Sequence, residues 1–157
     1  MKDDSDSIKS MNTYLYMLLS VGIVWLRSSF GKITSGKFPQ VLGQTLEKFA
    51  SNNPYPWYKN YLQTVAIPNA KIIGVITMWS EFFVALSITI AVLYLLIKPE
   101  GNKVAEIVLA VGLLGGMILN LNFWLASGWM SPSGESINFL MFLIQFVGFV
   151  YLVKLLK

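Results

Sequence analysis

The sequence predicts an all-α integral membrane protein, a four-helix bundle with a long, partly helical interfacial loop between helices 1 and 2. Three observations carry that prediction. Of 157 residues, 55% are hydrophobic and only 13% are charged, about half the charged share of a soluble domain. The apolar residues gather into long blocks instead of amphipathic stripes. Four blocks reach the roughly 20 residues that a helix needs to cross a bilayer. They cover positions 12–33, 72–97, 104–125 and 137–156, within one membrane domain over 1–157.

The first block follows MKDDSDSIKSM, an acidic, polar start unlike the basic start of a secretory signal. No small-residue cleavage site follows it, so it reads as a retained helix. The segment 34–71 is too long for a turn and is expected to form an extracytoplasmic loop. Within it, PQVLGQTLEKFA places Val41, Leu42, Leu46 and Phe49 on one side, as an interfacial amphipathic helix would. NNPYPWYKNY then sets Tyr55, Trp57, Tyr58 and Tyr61 around two prolines. Such aromatics favour the membrane–water boundary, so the segment reads as an anchor, with a lid over a site as the alternative. KPEGNK (98–103) and SGWMSPSGES (127–136) carry the Gly and Pro that part the last three blocks.

Lys and Arg near the spans set the expected orientation. The N-terminus, the 98–103 turn and the C-terminus hold two lysines each, and the loop after the third span holds none. Both termini are therefore expected in the cytoplasm of a multi-pass cell-membrane protein. The net charge of +4 is not a nucleic-acid footprint. These lysines stand at block ends, where snorkelling explains them, so lipid and not nucleic acid is the expected surrounding.

The chain has no Cys and no His. That excludes thiolate nucleophiles, disulfides, Cys-held Fe–S clusters, imidazole bases and the usual haem and zinc ligand sets. No metal or haem ligated by this chain is expected. Any proton or electron chemistry must use Arg, Lys, Glu, Asn or Tyr, or a bound small molecule.

Polar side chains inside a bilayer are expensive and are expected to face the bundle interior. At helical spacing each block carries one such stripe. It comprises Tyr16, Ser20, Arg27 and Gly31 on the first, and Gly74, Thr77, Glu81, Ala85 and Thr89 on the second. On the third it comprises Gly112, Gly116 and Asn120, with Gly115 and Asn122 close by; on the fourth, Asn138, Gln145 and Gly148. Gly112 and Gly116 have the small-xxx-small spacing that lets helices approach. Arg27, Asn120, Asn122 and Asn138 fall at one end of the bundle, with Glu81 about 14 Å into its helix. Two courses are open to Arg27: outward to the interface, or inward towards Glu81. The set reads as an outward-opening polar cavity with Arg27 as its cationic wall and Glu81 as proton acceptor. A fixed cation with amide donors suits a small oxyanion or a carbonyl oxygen. Helix register and packing are the structural alternative.

VGIVWLRSSFGKI, TMWSEFFVAL and NLNFWLASGWMSPSGESINFLMF together resemble the DoxX/DoxD family of small four-helix membrane proteins, over about residues 14–151. The last of these segments, with its Asn residues, aromatic and Ser-Pro loop, is similar to the DoxD branch. The resemblance implies the membrane subunit of an archaeal thiosulfate:quinone oxidoreductase in a respiratory electron-transport chain. Such a subunit passes electrons from thiosulfate to a membrane quinone, with tetrathionate as product. It implies a bound quinone and a separate DoxA-like partner or other respiratory-complex subunits. Arg27 and Glu81 would be catalytic; Lys32, Asn120, Asn122, Trp124, Asn138 and Gln145 would hold substrate or quinone. A non-catalytic subunit of a respiratory quinol oxidase and a small membrane scaffold are the competing readings.

Overall fold

The computed structural model describes residues 2–98 and 101–155, with side chains over 12–98 and 101–154. Pro99 and Glu100 of the expected polar turn, and Leu156 of the expected fourth span, lie outside the described residues. Among the described residues six α-helices follow one another: α1 (Lys2–Ser35), α2 (Phe38–Ser51), α3 (Pro56–Tyr61), α4 (Ala70–Ile97), α5 (Lys103–Ser127) and α6 (Pro132–Leu155). Four stretches are long and apolar enough to cross a membrane: Asn12–Ser35, Ala70–Ile97, Lys103–Met130 and Pro132–Lys154.

The punctuation explains the boundaries. Gly36, at φ +61°, takes the left-handed position that ends α1. Asn102 caps α5, its side chain accepting from the backbone N–H groups of Val104 (2.9 Å) and Ala105 (3.1 Å). SGWMSPSGES is less of a loop than its composition suggested. A short 3₁₀ turn, Gly128–Met130, extends α5, and α6 starts at Pro132. Proline suits the first helical position, where its missing N–H has no helical partner to lose. Ser131 completes that start by accepting from the Gly134 N–H at 3.1 Å.

The long helices pack in the order α1, α4, α5, α6. One apolar cluster, including Leu18, Ile88, Val92, Leu109 and Leu113, fills the half of the bundle nearest the termini, hereafter the open end. There α6 meets α1 through the Tyr14 hydroxyl, which donates to the Gly148 carbonyl at 2.6 Å. The opposite, capped end is covered by α2, α3 and a π-turn, Leu62–Ala66. A second cluster, including Leu42, Leu46, Tyr58, Leu62 and Ala126, joins this cap to the bundle.

Two glycines set how closely elements approach. A Cβ on Gly74 would stand 2.7 Å from the Pro39 Cα, so α2 crosses α4 backbone against backbone. Gly112 and Gly116 divide their work instead of serving one partner: Gly112 admits Ser87 and Ile88 of α4, and Gly116 admits the Gln145 amide of α6. The buried α2 face is Pro39, Leu42, Leu46 and Ala50; of the expected four, Phe49 is half-buried and Val41 is 47% exposed.

Gly74→Ala is therefore expected to destabilise the protein by about 1–3 kcal/mol through overpacking against a backbone. Gly43→Ala, whose Cβ would meet only the Ala70 Cβ at 3.5 Å, should be neutral or stabilising by up to about 1 kcal/mol. Thermal unfolding of both variants in detergent checks the contrast.

Candidate functional site: a capped cavity over a buried ion pair

Glu81 lies on the buried face of α4, with no exposed surface. A carboxylate in such a place needs a charge partner and hydrogen bonds. Lys32 supplies the charge by pairing with Oε1, and the Ser28 hydroxyl donates to Oε2 at 3.0 Å. Ser28 and Lys32 are four residues apart on α1 and share one helical face, so the two side chains grip one carboxylate together. The Lys32 ammonium also lies 4.9 Å from the Phe38 ring centroid and 5.3 Å from that of Phe123, within cation–π range.

Above this pair is a cavity of about 320 Å³. Lys32, Ser28 and Thr77 belong to its base, and Asn122 and Asn138 add amides. Its walls are apolar: Phe38, Leu42, Leu46 and Phe49 from α2, Tyr58 and Tyr61 from α3, and Phe123 from α5. The segment 38–66 thus forms the cavity's roof and much of its wall. Its apolar face turns onto the bundle instead of outward, while Trp57 remains 63% exposed.

The roof is tied to the end of α5. Buried Asn53 donates to the Leu125 carbonyl at 3.0 Å and accepts from the Tyr55 N–H at 3.0 Å. The Tyr58 hydroxyl donates to the Asn122 side chain at 2.8 Å, and the Tyr55 and Trp124 rings stand 5.8 Å apart. Burial, with Tyr61 adding a smaller effect, pushes the Tyr58 pKa up from 10.0 to about 12.

The expected site residues divide into four groups. Lys32, Asn122 and Asn138 come together at the cavity, with Glu81 behind Lys32. Asn120, Trp124 and Asn138 line a separate crevice of about 90 Å³ between α5 and α6. Gln145 is fully buried behind it and accepts from the Asn120 amide at 2.7 Å. Arg27 stands apart from all of these. It is exposed, makes no ion pair among the described residues, and does not line the cavity.

The α1 stripe of Tyr16, Ser20, Arg27 and Gly31 accordingly needs correcting. Tyr16, Ser20 and Arg27 are exposed; the inward face carries Leu18, Val21, Trp25, Ser28, Ser29 and Lys32. At about 100° per residue, a helix that turns Ser28 and Lys32 onto Glu81 must turn Arg27 away. Sequence reasoning also missed Ser28 and Asn53. The four-residue spacing of Ser28 and Lys32 was the available signal for the first; nothing local marked the second.

Among the described residues the regular structure is all helical, and four helices long and apolar enough to cross a membrane, with a roofed, mainly apolar cavity, define the class of multi-pass helical membrane proteins. No family model, curated protein or solved structure matches the chain. The likeness to the DoxX/DoxD family therefore rests on the three sequence motifs alone.

Lys32→Ala would leave Glu81 buried without its partner and is expected to destabilise by about 3 kcal/mol. The paired change Lys32→Met with Glu81→Gln should recover most of that loss, and unfolding of the single and double variants measures the coupling. The Tyr58 shift predicts a second effect. Tyr58 carries its proton further up the pH scale when folded, so its contribution is full below about pH 10. That contribution fades as pH climbs through the folded value of about 12. Unfolding followed from pH 9 upward should show a decline that is smaller in Tyr58→Phe.

Proposed function

We propose that the capped cavity receives the head group of a membrane quinone, and that the chain is the membrane subunit of a thiosulfate:quinone oxidoreductase. The observation carrying the proposal is the pairing of Lys32 with Glu81 at the base of a mainly apolar, aromatic-walled cavity. Its volume of about 320 Å³ lies within the range of small-ligand pockets. Flat apolar walls and a few converging donors suit a neutral ring bearing carbonyl oxygens. Because Glu81 balances the Lys32 charge, such a site favours a neutral ligand over a dianion. Thiosulfate oxidation is accordingly assigned to a separate partner subunit, and this chain to the quinone.

A quinone, when bound, supplies the two-electron acceptor. The chain's residues do the rest: Lys32 presents its remaining N–H donors to a carbonyl oxygen, while Glu81, itself held by the Ser28 hydroxyl, keeps Lys32 in place. Tyr58 and Asn122 fix the roof that keeps water from the ring. Protons taken up on reduction would pass through the Lys32–Glu81 pair, the ionisable groups at the cavity base. Asn120, Trp124 and Gln145 sit behind this arrangement and support the α5–α6 contact. The cavity end is proposed to face away from the cytoplasm, with both termini cytoplasmic.

Thiosulfate-dependent quinone reduction by the gently solubilised protein with its co-purifying subunits tests the reading. Lys32→Met and Glu81→Gln should each lower turnover by about 10²-fold, whereas Arg27→Ala should retain it. Quenching of tryptophan fluorescence by added quinone reports binding separately. Binding without turnover would leave an accessory quinone-holding subunit, as in a quinol oxidase complex. Neither binding nor turnover would sink the assignment of the cavity.

A further inference from the structure

Arg27 is the cation that the cavity does not use. It stands on the outward face of α1 among large exposed apolar side chains: Ile23 (54%), Val24 (45%) and Phe30 (63%). The span Asn12–Ser35 holds no Asp or Glu. Glu81, the buried carboxylate that faces α1, is already shared by Lys32 and Ser28. A guanidinium cannot shed its proton, so on a lipid-facing surface it must reach an anion or water.

The side chain's course shows in which direction. A Cβ on Gly31 would stand 3.4 Å from the Arg27 Nη1. The guanidinium thus lies beside Gly31, one helical turn nearer the capped end, on ground that a larger side chain would occupy. A hydrocarbon core about 20 residues deep, counted from Asn12, ends near residue 32. The Arg27 backbone then lies about 7 Å inside that boundary, and one turn regains about 5 Å. The guanidinium therefore comes up within about 2 Å of that boundary, where a phosphate dipping from the head-group layer can meet it. Just beyond the helix, Lys37 is exposed and adds a second positive charge at the same rim.

We propose that Arg27, laid over Gly31, binds the phosphate of an anionic phospholipid in the leaflet at the capped end. The planar guanidinium matches a phosphate with two parallel hydrogen bonds, which a lysine ammonium cannot reproduce. The neighbouring exposed Ile23, Val24 and Phe30 give the acyl chains an apolar flank. Lipid held there covers the outward face of α1 without entering the cavity. The site is independent of the quinone assignment, because Arg27 does not line the cavity.

The probe is phosphatidylglycerol, added to the delipidated full-length protein in uncharged detergent and followed by native mass spectrometry. Phosphatidylcholine and inorganic phosphate are the comparison ligands. Wild type should retain phosphatidylglycerol about tenfold better than Arg27→Gln, with Arg27→Lys between them. Gly31→Leu, which crowds the guanidinium but keeps its charge, should also lose retention. All three variants should unfold at the wild-type temperature before lipid is added, because the altered side chains lie outside the core. Equal retention by wild type and Arg27→Gln overturns the site. Inorganic phosphate binding as well as lipid would make it a free-phosphate site and overturn the lipid. Loss of a co-purifying protein from Arg27→Gln, with lipid retention unchanged, would reassign the arginine to a partner's carboxylate.

Discussion

A carboxylate without solvent in the middle of an apolar bundle dictates most of what surrounds it. Glu81 on α4 is compatible with folding only if another helix brings it a cation and a hydrogen-bond donor, and α1 brings both one turn apart in Ser28 and Lys32. Removing Lys32 alone leaves Glu81 in a medium that cannot solvate it. The pair therefore fixes the rotation and the height of α1 against α4. Trp25 and Val21 follow inward below it, and Arg27 follows outward.

The cap depends on that placement in turn. Phe38 lies over the Lys32 ammonium, so the first turn of α2 sits on the ion pair, while Gly74 lets its Pro39 lie against α4. From there the chain crosses the end of the bundle and is fastened to α5 by Asn53 and Tyr58. The resulting chamber has a balanced charge at its base and aromatic surface around it. Such a chamber differs from the cationic anion site that an unpaired Arg27 would have made.

Much of the helical layout was legible in the residues. The inward stripe of α4 and the amide-bearing faces of α5 and α6 follow from periodicity and local chemistry. What misled was punctuation and proximity. SPSG looked like loop because it holds Pro and Gly, yet Pro132 opens α6 behind its Ser131 cap. Arg27 looked like the site's cation because it stands nearest the apolar block. Asn53 gave no local sign of its tie to α5, since the carbonyl it donates to lies more than 70 residues away.

By itself the sequence determined that four apolar blocks form membrane-length helices, because composition and 3.6-residue periodicity act locally. It also determined that one buried acid must find a cation near the same end. The tertiary structure alone decided which cation. Arg27 and Lys32 lie five residues apart, about 140° around the helix, with polar residues on both sides of α1 between them. Nothing local to that stretch chooses a face. The choice is made when α1 rotates to satisfy Glu81, and the cap that then settles over Lys32 holds it there.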